Sequence, residues 1–202
     1  MPRDRLFFAY NDFNNAIPLF GPGGTSLMGA DRYTPGFEKT FWGGLASFEL
    51  ITPVANAQNS RIELYSTQGT ARQTEFGNLS MALKFLAWRR ENLAISGGLG
   101  LNLPTAPEAI VSANGQRLFT VKNQATHLLP YGAALWTPTE RTYVQGFLQV
   151  DVAANGDAVL VADGSASGPL NEQTLLYADL SMGYWLLNNP NNRYVTGIIP
   201  TL

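Results

Sequence analysis

Hydrophobic and polar positions alternate with a period of two over much of this 202-residue chain, most regularly in residues 75–104. Leu79, Met81, Leu83, Phe85 and Ala87 fall on one side there, and Asn78, Ser80, Ala82, Lys84 and Trp88 on the other. A strand satisfies that alternation and a helix would scatter it. Leu86 is the one position that breaks the pattern. A polar break, Arg89-Arg90-Glu91-Asn92, leads to a second run, in which Leu93, Ile95, Gly97, Leu99 and Leu101 alternate with Ala94, Ser96, Gly98, Gly100 and Asn102. The pattern predicts a β-hairpin with strands of about 10 residues, longer than the ~5–6 usual in soluble sheets and near what a tilted strand needs to cross a bilayer.

The polar side decides what kind of sheet this is. The outer face of a soluble sandwich carries abundant Lys, Glu, Arg and Thr, whereas here it is mostly Asn, Ser, Ala and Gly. Leu, Ile, Phe and Met outside with small, mostly uncharged residues inside is the inverted pattern of a transmembrane barrel.

The rest of the chain extends the pattern. Residues 5–11 set Leu6, Phe8 and Tyr10 against Arg5, Phe7 and Ala9, a first strand. Residues 12–36 are rich in Gly, Pro and Asn, include Gly21-Pro22-Gly23-Gly24, and read as a large surface loop. Residues 37–51 read as a second strand, with Trp42, Gly44, Ala46, Phe48 and Leu50 opposite Lys39, Ser47 and an inward Glu49; Thr52-Pro53 breaks it. Residues 61–65 give a shorter strand with Ile62 and Leu64 opposite Arg61, Glu63 and Tyr65. Residues 105–127 form a long loop holding the hairpin signal Asn114-Gly115, and residues 128–137 a strand. In residues 141–153 Val144, Gly146, Leu148, Val150 and Val152 face out, against Tyr143, Gln145, Phe147, Gln149 and Asp151. A second Asn-Gly, Asn155-Gly156, reads as another hairpin turn. Residues 174–187 then place Leu176, Ala178, Leu180, Met182, Tyr184 and Leu186 opposite Tyr177, Asp179, Ser181, Gly183 and Trp185. A last strand starts at residue 193.

Connections near Pro53, Arg89, Pro138 and Pro190 are mostly short, and those near Pro22, Ala113 and Gly164 long and polar, the alternation of short periplasmic turns and long outer loops. Phe41-Trp42, Trp88, Trp136 and Tyr184-Trp185 gather near strand ends, where an interfacial girdle wants them.

Composition agrees. Charged residues make up 14% of the chain where about 25% is usual, and no apolar run approaches the ~20 residues of a membrane helix. A spanning segment must therefore belong to a closed barrel. Zero cysteines exclude disulfides and thiolate metal sites, and a net charge of −2 gives no support for a nucleic-acid partner. The opening residues MPRDRLFFAYNDFNNA show neither an apolar signal core nor a cleavage site.

The stretches DRYTPGFEKTFWGGLASFEL, TEFGNLSMALKFLAWRRENLAISGGLGLNLPTA and YWLLNNPNNRYVTGIIPT together resemble a family of porin-like outer-membrane β-barrels grouped with meta-pathway phenol-degradation channels. The resemblance covers nearly the whole chain, with GNLSMALK and RRENLAISGGLG its more specific parts. It implies an outer-membrane location and a channel for small solutes.

The expectation is an all-β, antiparallel up-and-down transmembrane β-barrel, one domain over residues 1–202. It is a partial barrel of about 8–10 strands, missing strands at one or both ends, because single-chain bacterial barrels have even strand numbers and about nine are counted. Arg5, Glu49, Arg61, Glu63, Lys84, Gln149, Asp151 and Asp179 fall at lumen parity and are the candidate pore-lining residues. No catalytic, cofactor or metal site is expected. His127, the single histidine, has neither a serine nor an acidic pair beside it in sequence, and Asp157 and Asp163 do not match Ca²⁺-loop spacing. The expected partners are a lipid bilayer and small solutes, with passive porin-like passage as the function. The alternatives are a closed barrel that binds a partner through its long loops, and, less favoured, a soluble lipocalin-like carrier with the Leu-rich face inside.

Overall fold

The strict alternation of residues 79–103 forms the hairpin it predicts, and that hairpin sits in the middle of a strongly curled sheet. The computed structural model describes residues 2–21, 24–56, 60–64, 73–188 and 197–200, and these contain no α-helix. In chain order the strands are β1 (Arg5–Gly21), β2 (Gly24–Phe41), β3 (Ala46–Ile51), β4 (Val54–Asn56), β5 (Arg61–Leu64), β6 (Thr74–Phe76), β7 (Leu79–Arg89), β8 (Leu93–Leu103), β9 (Ala109–Ala113), β10 (Gln116–Val121), β11 (His127–Thr139), β12 (Thr142–Ala153), β13 (Asp157–Val161), β14 (Ala166–Leu170), β15 (Leu175–Tyr184), β16 (Leu187–Asn188) and β17 (Gly197–Ile198). The large sheet has 10 strands, all its pairings are antiparallel, and its wall runs β1-β2-β3-β7-β8-β11-β12-β15. It is a half-barrel. At one edge Tyr184 N donates to Pro200 O (3.3 Å).

Residues 12–36 are not a loop. They continue β1 and β2 into one long hairpin, paired from Arg5↔Glu38 to Gly21↔Gly24, whose tip at residues 22–23 lies outside the described residues. Cross-strand aromatics hold what the composition disguised: Tyr10 and Tyr33 pair at 5.4 Å, and the Tyr10 hydroxyl donates to Asp31 at 2.7 Å. A register shift between Phe13 and Ile17, with Asn15 at φ 55°, absorbs the irregular part.

Residues 37–51 are not one strand either. Trp42, Gly43 and Gly44 take φ of 51°, 64° and 87°, a tight reversal that ends β2 and starts β3. The reversal puts Lys39 opposite Phe48 on the convex face and brings Glu38 opposite Glu49 on the concave face. Pro53, in turn, does not end the wall. Gly36↔Ile51 and Tyr33↔Val54 keep one register across it, because Thr52 N donates to Pro35 O and Pro53 O accepts from Gly77 N.

Trp88 faces outward. The pairs Leu86↔Ser96 and Trp88↔Ile95 leave Ala87 as the extra residue of a bulge, so parity flips after Leu86. The same bulge accounts for Leu86, which keeps concave parity opposite Ser96. Trp42, Trp88 and Trp136 are all exposed, at the end of the wall where the turns are short.

The two long loops expected around Ala113 and Gly164 fold, together with the short strand expected at residues 61–65, into a second, five-stranded sheet, β14-β13-β10-β9-β5. Asn114-Gly115 is the hairpin turn of β9 and β10, with φ of 52° and 75°, as a two-residue type I′ turn requires. Gly115→Ala is expected to destabilise this hairpin by about 1 kcal/mol. Faster amide exchange in β9 and β10, with β7 and β8 unchanged, would register it. Asn155-Gly156 is not a hairpin turn. It joins β12 of the large sheet to β13 of the small one, and Asn155 clamps the neighbouring connection by accepting from Thr126 N (3.0 Å) and donating to Gln124 O (2.7 Å). Tyr65, residues 67–72 of the break before β6, residues 189–192 and most of the last expected strand lie outside the described residues; Gly197 and Ile198 pair with Asn188 and Leu187.

The polarity of the wall is inverted. Convex positions on β3, β7, β8, β11, β12 and β15 carry no charged side chain, and Leu180 (77% exposed), Leu176 (67%) and Leu148 (52%) are among them. The buried hydrophobic residues among those described are four alanines, Ala46, Ala55, Ala94 and Ala125. Burial falls instead on Glu38, Ser47, Glu49 and Ser96 of the concave side.

Candidate functional site

The concave side of β1, β2, β3 and β7 brings together two carboxylates and two cations. Antiparallel register places Arg5 opposite Glu38, Glu38 opposite Glu49, and Ser47 opposite Lys84. The Glu38 side chain is fully buried and accepts from Arg5 Nε (2.8 Å), Lys84 Nζ (3.2 Å), Ser47 Oγ (2.6 Å) and the Arg3 backbone N–H (3.2 Å). Glu49 accepts from Arg5 Nη2 and Lys84 Nζ, both at 2.7 Å. Each cation thus bridges both carboxylates, and the quartet is charge-balanced.

A trough of about 550 Å³ opens beside the quartet. On the quartet's side it is bounded by Arg5, Glu49 and Lys84, and on the far side by Tyr131, Phe147 and the amides of Gln145 and Gln149. Tyr131 and Phe147 stack at 5.6 Å. The floor is small: Ala82, Ala94, Ser96 and Gly100. Tyr131 lies over Gly98, its cross-strand partner, just as Phe7 lies over Gly36 and Tyr143 over Gly183. The glycines let aromatic rings fold flat against the concave wall, so the rings narrow the trough less than upright ones would.

Arg5, Glu49, Lys84 and Gln149, all expected at the lumen, line this trough. Asp179 has the same concave parity on β15, opposite Phe147, and is exposed. Arg61 and Glu63 sit elsewhere, on β5 of the small sheet, where Glu63 accepts from the Gly115 N–H at 2.9 Å; a parallel pairing with β9 took that segment out of the wall. Asp151 points to His127 at the loop-side end of the wall, 2.7 Å from Nδ1. The sequence placed no acidic group near His127, and the fold supplies Asp151 from β12 and Glu172 from residues 171–174. A carboxylate thus stands near each ring nitrogen, Asp151 at Nδ1 and Glu172 at Nε2.

Glu38, Ser47 and Tyr131 were missed as site residues. Glu38 was legible only if Trp42-Gly43-Gly44 is read as a turn, since placing two residues of one hairpin face to face needs the position of the reversal. On the loop side, Asp157 at the start of β13 is a buried carboxylate that accepts from Gln124 N (2.6 Å) and Ala125 N (2.7 Å) in the connection from β10 to β11. In the β13–β14 turn, the Ser165 backbone N–H and hydroxyl beside Asp163 hold that carboxyl below the usual range.

Compared with family models, curated proteins and solved structures, the chain returns no match.

Proposed function

We propose that this chain builds the wall of an outer-membrane β-barrel, its convex face against lipid and its concave face lining a passage for small polar solutes. The observation that carries the reading is the placement of apolar side chains. Leucines on the convex face are exposed while the buried hydrophobic residues among those described are alanines, so in water the sheet would present a broad apolar face of the kind soluble monomers rarely leave open. Hydrocarbon removes that cost. The uncharged convex strands β7, β8, β11, β12 and β15, 10 to 13 residues long, suit a tilted span, and the exposed tryptophans at the short-turn end suit the headgroup level. The same placement argues against a lipocalin-like carrier, whose apolar face would have to turn inward.

Planar-bilayer conductance of the refolded protein tests the passage. Stepwise currents are expected, and Gln149→Lys, which adds charge to the trough without touching the quartet, should move the reversal potential toward anion selectivity. That shift should fade near 1 M salt, where the screening length falls to about 3 Å. The second reading, a closed barrel, is favoured by the charge-balanced quartet and the stacked Tyr131 and Phe147. Silence from correctly inserted protein would select it.

A further inference from the structure

His127 is the only histidine of the chain, and it stands at the loop-side end of β11, opposite Asn102 of β8 and Ala153 of β12. Asp151 Oδ1 lies 2.7 Å from Nδ1 and Glu172 Oε2 lies 3.5 Å from Nε2. Carboxylates only accept, and a neutral imidazole carries a single N–H. Imidazolium alone can donate to both. Once the ring is neutral, one nitrogen presents a lone pair to a carboxylate, and the longer contact, to half-exposed Glu172, is the one that gives way.

The two carboxylates belong to different parts of the fold. Asp151 is built into β12 of the wall, whereas Glu172 lies in residues 171–174, where the chain returns from β14 of the small sheet to β15. Among the described residues, the polar neighbours in the adjoining elements are uncharged or already engaged. Asn102 is bonded to Ser80, and Asp157 accepts from the amides of Gln124 and Ala125 in the connection leading to β11. Asn155 bonds to Thr126 and Gln124 in that same connection. The charges that act on the ring are those of Asp151 and Glu172.

We propose that His127 is a pH-sensitive latch: protonated, it ties the return connection of the loop sheet to the barrel wall through Glu172, and neutral, it lets that connection go. The latch holds at acid pH and opens as pH rises through the titration of the ring. As regulation of the proposed passage it rests on that reading, since residues 171–174 border the loop-side end of the concave face.

The chain has no cysteine, so a spin label at Gln173→Cys reports on the connection alone. Its spectrum should be mainly immobile near pH 5 and shift toward a mobile component near pH 8, with the mobile-to-immobile ratio changing about two- to fivefold, the scale of one partly exposed ion pair. Glu172→Gln, at a half-exposed position, should leave the label mobile at both pH values, and His127→Gln should abolish the step. An unchanged spectrum between the two pH values, or a step that survives in either variant, overturns the latch. A label step combined with a silent bilayer would sink the passage and leave the latch standing.

Discussion

Gly98→Ala is expected to destabilise the protein by about 3 kcal/mol or more, the top of the range for overpacking. A methyl group there would stand 2.2 Å from the Leu83 carbonyl oxygen and 2.6 Å from the Tyr131 ring. The ring can swing away, but the carbonyl belongs to the β7–β8 ladder and cannot move without parting the hairpin at the centre of the wall. Truncating Tyr131 to alanine should therefore fail to rescue Gly98→Ala. Gly183 provides the contrast. Its nearest obstruction is the Tyr143 ring, at 2.4 Å, so Gly183→Ala should cost much less in a Tyr143→Ala background than alone. Gly132, with open space around its would-be Cβ, should accept alanine within about 0.5 kcal/mol. Denaturant midpoints of the refolded variants give all three comparisons, and a rescue of Gly98→Ala by Tyr131→Ala would refute the close approach of the two strands.

Glu38→Ala is expected to cost about 3 kcal/mol. Its carboxylate is fully buried under Arg5, Lys84, Ser47 and the Arg3 amide, and removing it leaves two cations to share Glu49. The partial exposure of Arg5 keeps the figure at the low end for a broken buried pair, since water can reach one side of the guanidinium. Adding Lys84→Met should recover part of the loss by restoring balance between one cation and one anion. Lys39→Ala, which removes the exposed ion pair with Asp4, should cost less than 1 kcal/mol by the usual worth of surface pairs, about 0–1 kcal/mol. If Glu38→Ala proved as mild as Lys39→Ala, the quartet would be a loosely solvated cluster and not the support of the charged wall.

What the sequence showed clearly was whatever a strict period of two can encode. The β7–β8 hairpin, the polar side of β12 and β15, and the inward parity of Arg5, Glu49, Lys84 and Gln149 were all readable from alternation alone. The features that escaped are those where parity changes without a sign in composition. The bulge at Ala87 adds one residue and turns Trp88 from the lumen to the convex face. The reversal at Trp42-Gly43-Gly44 hides inside a run that alternates well enough to pass for one strand, and it concealed both the opposition of Glu38 to Glu49 and the outward turn of Lys39.

Composition misled in the other direction. Residues 12–36 hold the Gly, Pro and Asn of a loop but pair along their length, since a hairpin needs only matched backbone groups and a few cross-strand aromatics to hold its register. The small sheet was out of reach for a different reason. It joins β5, the β9–β10 hairpin and the β13–β14 hairpin, and its parallel β5–β9 pairing links segments far apart in sequence, so no local pattern announces it. His127 is likewise far in sequence from Asp151 and Glu172.

The central claim, that the convex face meets lipid and the concave face meets water, is tested most directly by spin labels placed singly along residues 144–150 of β12 in protein reconstituted into vesicles. Val144, Gly146, Leu148 and Val150 should show high collision with dissolved oxygen and little with a water-soluble nickel chelate, and Gln145, Phe147 and Gln149 the reverse, a period of two in the ratio. Labels at Leu148 and Val150 shielded from both reagents would mean that the leucine face packs into a protein core, and equal access of the nickel chelate to both sets would mean that both faces are wet; either result would contradict the barrel wall proposed here.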